Sequence, residues 1–294
     1  FMCGREVATR VATARYTLPF KILGAAIQLH WSLVFLIAFV LCLNFTVLES
    51  GLSEESHGKL YTALLIIAQL VGVLICVLLH ELAHAAVYRL YGAPVDQIIL
   101  IALGGATVSP VEFGSGVLKS AHSQLLISAA GPLVNLILWG CALAADGAIT
   151  ADVNSTLFNS TTGEFLSALV TLIWIWNAIL GVSNALPIFP LDGGRCLHGL
   201  CRFCLPTRQA FFCTSLVAIG GCLIIVAVDV LDAIESKFSD WLIWVDVPII
   251  VVVTLGNVYV LCGTFDEEQV DLDTARSPDP EPLLGSIQNE GEAA

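Results

Sequence analysis

The sequence predicts an all-α polytopic membrane protein, with about six transmembrane helices and a short re-entrant β-hairpin between the second and third. Three observations carry that fold class. Hydrophobic residues fill 57 % of the 294 positions and charged residues only 13 %, with a mean hydropathy of +0.86; a soluble domain is nearer about half apolar and about a quarter charged. The apolar residues fall in runs of about 20, enough to cross a hydrocarbon core of about 30 Å. One stretch between two runs is short and β-branched instead.

The first run, Gln28 to Leu48, opens with His30-Trp31-Ser32, and the second, Leu60 to Leu90, ends at Tyr88-Arg89. Val95 to Gly116 follows, where Val95-Asp96-Gln97-Ile98-Ile99-Leu100-Ile101-Ala102-Leu103 reads as a strand that Gly104-Gly105 turns toward Ala106-Thr107-Val108. Non-helical backbone at a membrane needs protein or a water-filled cavity to satisfy its amides, and a strand edge there can accept an extended peptide. A surface loop that packs the site is the plainer reading. The third run, Ser123 to Leu143, contains Gly131-Pro132-Leu133-Val134-Asn135. The fourth, Phe165 to Leu186, is broken by Pro187 and Pro190, and the fifth and sixth are Phe211 to Val230 and Trp241 to Leu261. The chain divides into a cytosolic N-terminal segment 1–27, a membrane core 28–262 and an acidic tail 263–294 whose composition predicts disorder.

Charge sets the expected orientation. Arg5, Arg10, Arg15 and Lys21 precede the first run, Arg89 and Lys119 separate the second and third, and Arg195, Arg202 and Arg208 separate the fourth and fifth. The opposite loops are acidic, so the positive-inside rule puts both termini in the cytosol. The acceptor sequences Asn154-Ser155-Thr156 and Asn159-Ser160-Thr161 then face outward, which suits a eukaryotic secretory-pathway membrane. The basic start has no short apolar core with a cleavage site and does not read as a cleaved signal peptide. The net charge of −13 predicts no nucleic-acid partner.

Chemistry is concentrated in His80-Glu81-Leu82-Ala83-His84, inside the second run. Histidines four apart project from one face of a helix, where both can ligate one Zn²⁺, and Glu81 stands beside them as a general base for a zinc-activated water. Ionisable groups at that depth are costly without a use. Nine residues of helix to Arg89 place the metal about 13 Å below the cytosolic surface. A catalytic zinc takes three protein ligands, and Asn184-Ala185-Leu186-Pro187-Ile188-Phe189-Pro190-Leu191-Asp192-Gly193-Gly194-Arg195 offers Asp192 at the end of a broken helix. Asp before Gly-Gly is also ordinary turn and cap chemistry. Both readings stay open on the residues alone.

Together, HELAH and NALPIFPLDGGR resemble the site-2 protease family of intramembrane zinc metalloproteases, most closely its archaeal and sporulation-factor branch. The resemblance extends to His30-Trp31, the Gly104-Gly105 region and Ala130-Gly131-Pro132-Leu133-Val134-Asn135, and covers most of Gln28 to Leu261. It implies one Zn²⁺ per chain held by His80, His84 and Asp192, with Glu81 as general base. It gives Asn184 a contact to substrate or developing oxyanion, alongside a helix-capping alternative. Gly104 and Gly105 belong to the substrate-facing strand region, and His30 lines the access route or sits idle at the interface. The implied activity is regulated intramembrane proteolysis of membrane-anchored proteins in the lipid bilayer, with an upstream protease or regulatory subunit left open. A proteolytically inactive relative that escorts membrane helices is the alternative. No stretch can hold an inserted PDZ domain, and the tail departs from relatives with nucleotide-binding CBS domains.

Cys196, His198, Cys201 and Cys204 also lie together after Asp192. They read as reduced cysteines, with a structural zinc site or palmitoylation as alternatives.

Overall fold

The computed structural model describes residues 15–43, 58–102, 104–111, 116–151, 161–235, 254 and 258. Apart from Thr254 and Val258, the predicted sixth run lies outside the described residues, as do the two glycosylation acceptors and the acidic tail. The elements are β1 (Arg15–Ile22), β2 (Ala25–His30), α1 (Leu33–Leu43), α2 (Gly58–Leu90), β3 (Gln97–Ile101), β4 (Gly104–Val108), α3 (Ala121–Ala151), α4 (Thr161–Ala185), α5 (Asp192–Cys201) and α6 (Thr207–Glu235). Four of these helices are long and apolar enough to cross a membrane: Leu60–Leu90, Ala121–Ile149, Gly163–Ala185 and Thr207–Val228.

The axis is α2. One stripe of it, Leu64, Ile67, Val71, Ile75 and Leu79, is exposed, at the three-and-four spacing of a single helical face. The opposite stripe buries Ile66, Gln69, Val73, Cys76, Val77, His80, His84 and Tyr88. A helix with its apolar stripe outward and its polar groups inward is built for lipid around it and protein behind it. Gly92 ends it at φ +74, with Ala93 N–H donating to Tyr88 O (3.0 Å) and Gly92 N–H to Arg89 O (2.9 Å), the Schellman arrangement that satisfies orphan carbonyls. The Arg89 guanidinium donates to the carbonyl of Leu23 in the β1–β2 turn.

The hairpin predicted after α2 is part of a larger object. A four-stranded sheet runs β1-β2-β3-β4, with β2 and β3 parallel and the outer pairs antiparallel. The fold is therefore mostly helical with a small mixed sheet. The first apolar run opens as a strand, since Gln28 pairs with Ile99 and α1 starts only at Leu33. The parallel pair Ile27 and Ile98 is fully buried and joins Val73, Val77, Ala85 and Tyr88 of α2 in one core. Burying a side chain of that size is worth about 1.5–3 kcal/mol, so the sheet is firmly seated on the helix.

Ser120 caps α3, accepting the N–H of Ser123 at 3.0 Å. Pro132 lies inside this helix. After Ala185 the chain unwinds through Leu186–Leu191, where Pro187 and Pro190 cannot extend a helix, and restarts at Asp192. α5 packs on α3, so the second motif returns to the level of the first.

Candidate metal centre

His80 and His84 leave α2 one turn apart, and Asp192 arrives from the first turn of α5. The three side chains converge. His80 Nε2 lies 2.9 Å from Asp192 Oδ2, His84 Nε2 lies 3.1 Å from the same oxygen, and the two Nε2 atoms are 3.1 Å apart. All three residues are buried. Glu81 is buried too, with a carboxylate oxygen within 4.8 Å of both histidine donors.

His84 Nδ1 is 2.6 Å from the carbonyl of Ile127 on α3. A carbonyl only accepts, so Nδ1 carries a proton, and in the neutral ring Nε2 presents a lone pair to the centre. That lone pair faces a carboxylate oxygen and a second imidazole nitrogen, an arrangement that is favourable only with a cation among them. Two imidazole nitrogens and one carboxylate oxygen suit a borderline-soft divalent ion. The spacing fits as well: tetrahedral ligands about 2.05 Å from zinc lie about 3.3 Å apart, a few tenths more than the edges seen here. His80 Nδ1 is buried with no hydrogen-bond partner among the described residues.

Gly131 shapes the near wall. A Cβ on it would sit 2.5 Å from His80 Nε2 and closer still to His84 Nε2, so only glycine lets α3 approach the imidazoles. Gly105 does the same for Glu81, because its Cβ would lie 2.7 Å from Cδ and Oε1 of that side chain. Thr107, two residues on, reaches Glu81 Oε2 at 2.8 Å. In the sequence Gly131 has a place in a family-like stretch and Thr107 a place in a strand, but neither has a role at the site, and nothing points to the Ile127 carbonyl. The two-residue spacing of Gly105 and Thr107 on one strand face was the available sign.

Asp192 is not a cap. The N-cap of α5 is Leu191, which makes no side-chain capping bond, and the Asp192 carboxylate turns to the histidines instead. Arg195 Nη1 lies 3.9 Å from the other carboxylate oxygen, Oδ1.

The remaining candidates stand apart from this convergence. Asn184 donates from Nδ2 to Leu180 O at 3.0 Å, back along its own helix. His30 Nδ1 pairs with Ser32 Oγ at 2.8 Å and its ring rests against Trp31. Gly104 takes φ +140 at the start of β4, a conformation that favours glycine. Cys196, His198, Cys201 and Cys204 form no group of three metal donors among the described residues.

Several known proteins are similar to this chain. Zinc metalloprotease MJ0392 of Methanocaldococcus jannaschii is 31 % identical over 181 residues, covering 62 % of this chain and 44 % of that protein. Stage IV sporulation protein FB of Bacillus subtilis is 30 % identical over 176 residues, 60 % of this chain and 54 % of its own. The chain thus spans about half the length of the curated relatives it matches. A solved structure described as Site-2 Protease from Methanocaldococcus jannaschii aligns over 92 % of this chain and 99 % of its own at 22 % identity, with a TM-score of 0.46. The sequence model of peptidase family M50 matches residues 68–228, a stretch that holds all four of His80, Glu81, His84 and Asp192. That match takes in more than half of the sequence, and the chain belongs to peptidase family M50, the site-2 protease family.

Proposed function

We propose that the chain is an intramembrane zinc metalloendopeptidase that hydrolyses peptide bonds in or near the transmembrane helices of membrane-anchored proteins. The observation that carries this reading is the 2.9–3.1 Å convergence of His80, His84 and Asp192, with Glu81 beside it, on helices built for lipid. One Zn²⁺ per chain, held by those three residues, would polarise a water and the scissile carbonyl. Glu81 would accept a proton from the attacking water and give it to the leaving amine. The Ile127 carbonyl holds the tautomer of His84, so its Nε2 stays a ligand.

A helical substrate must unwind before its backbone reaches the site. β4 is an edge strand of the sheet and lies against Glu81, which supports pairing of the unwound segment along it, with Gly104 and Gly105 in that path. Asn184 would contact substrate or oxyanion only by leaving Leu180 O, and His30 belongs to the access side. Both termini are cytosolic in this reading, in a eukaryotic secretory-pathway membrane, and glycosylation mapping at Asn154 and Asn159 reads the sidedness directly. Release of a fragment from a substrate trimmed by an upstream protease completes the regulated sequence.

Glu81→Gln tests the assignment, since it is nearly isosteric and removes only the base. Cleavage of a single-span substrate should fall by a factor of about 10²–10⁴ or more, with zinc per chain unchanged. Undiminished cleavage overturns the mechanism.

A further inference from the structure

We propose that Thr107 is a positioning residue for the Glu81 carboxylate, an inference that rests on the proteolytic reading above. Successive side chains of a strand point to opposite faces. Ala106 is accordingly exposed, while Gly105 and Thr107 on either side of it face α2. Thr107 Oγ1 lies 2.8 Å from Glu81 Oε2 and 3.1 Å from the backbone carbonyl of Glu81. Its single proton goes to the carboxylate, the stronger acceptor of the two.

The carboxylate passes over Gly105, where a Cβ would lie 2.7 Å from Oε1 and Cδ, and the Thr107 hydroxyl engages Oε2. A general base works only when its accepting oxygen is within hydrogen-bond reach of the proton it takes, and a flexible glutamate held at one oxygen spends more of its time there. The same contacts make β4 part of the reaction centre as well as a strand edge.

Thr107→Val keeps the β-branched shape that a strand prefers and removes only the hydroxyl. Cleavage of a single-span substrate by purified protein should lose about tenfold or more in kcat at unchanged KM, the scale of one hydrogen bond to a charged group. Zinc per chain should not change. Thr107→Ser restores the hydroxyl and should bring kcat back to within about twofold. Infrared spectroscopy supplies a readout independent of turnover: the carboxylate stretch identified by its loss in Glu81→Gln should move in Thr107→Val and return in Thr107→Ser. A band that does not move, a kcat that does not fall, or a loss of zinc that accompanies the fall each overturns the proposal. If wild-type protein fails to cleave while the band still moves, the protease reading falls and the Thr107–Glu81 contact stands.

Discussion

α5 carries two sets of metal-capable side chains within a few turns, and they meet opposite fates. At its first residue, Asp192 turns toward His80 and His84 and closes a triangle of donors with edges of 2.9–3.1 Å. Further along, Cys196, His198, Cys201 and Cys204 offer four soft donors that do not gather. Cys196 and His198 are two positions apart and therefore leave the helix on opposite sides, and Cys204 lies past its end. The His198 ring stacks on Phe211 at 3.9 Å, with Phe189 nearby, and behaves as an aromatic core residue. Donor chemistry is common to both sets. Convergence from separate helices distinguishes them.

Metal affinity should split the two sets most widely. Asp192→Asn keeps the shape of the side chain and, because Leu191 rather than Asp192 occupies the N-cap, leaves α5 intact. Zinc affinity should still fall by at least about 100-fold, since even residues behind the ligands commonly matter by about 10–100-fold. Changing Cys196, Cys201 and Cys204 to serine together should leave zinc per chain as it was. Equal zinc loss in both variants would erase the distinction.

Steric tolerance gives a smaller contrast. Gly131→Ala drives a methyl group into both imidazoles and should cost about 1–3 kcal/mol together with bound metal. Gly140→Ala, on the same helix, meets nothing within 4 Å and should be neutral or stabilising by up to about 1 kcal/mol. Thermal unfolding and zinc content of the two purified variants compare them directly.

The smallest effect concerns pH. Burial, with Arg202 adding to it against a backbone hydrogen bond at Thr207, holds His198 down at about 4. In the unfolded chain it titrates near about 6.5. Between these values the unfolded state binds the extra proton, so the contribution of His198 is complete above about 6.5, declines as pH falls toward about 4, and is absent below. His198→Phe removes the titration and keeps a ring against Phe211. Its Tm should therefore fall less steeply than that of wild type between pH 6.5 and 4; parallel curves would refute this assignment.

How much of this was legible beforehand followed the range of the interactions. HELAH is local: four residues of helix fix the mutual placement of His80 and His84, so spacing was enough. Asp192 stood out because a carboxylate in a broken apolar run needs a reason to be there. The sheet is non-local. Gln28 finds Ile99 across the whole of α2, and nothing in Arg15 to His30 announces that pairing, so β1 and β2 read as a basic flank and the start of a membrane run. The β3–β4 pair was readable from its glycine turn and β-branched strand. Asn184 and His30 drew attention by motif and position, yet their polar atoms are engaged by Leu180 and Ser32. Thr107 carried no motif, and its importance appears only once β4 lies against α2.

The unwound segment Leu186–Leu191 has a mechanical consequence. It lets α5 part company with α4 and seat its first residue against α2, so the three donors belong to two bodies, one carrying both imidazoles and the other the carboxylate. Any motion that wedges α2 from α5 would dismantle the triangle. α3, pressed against the imidazoles at Gly131 and bonded to His84 through Ile127, is the third leg of the same tripod. In the proteolytic reading proposed above, room for an entering chain would come from parts that contribute no leg: α1, α4, α6 or the free margin of β4.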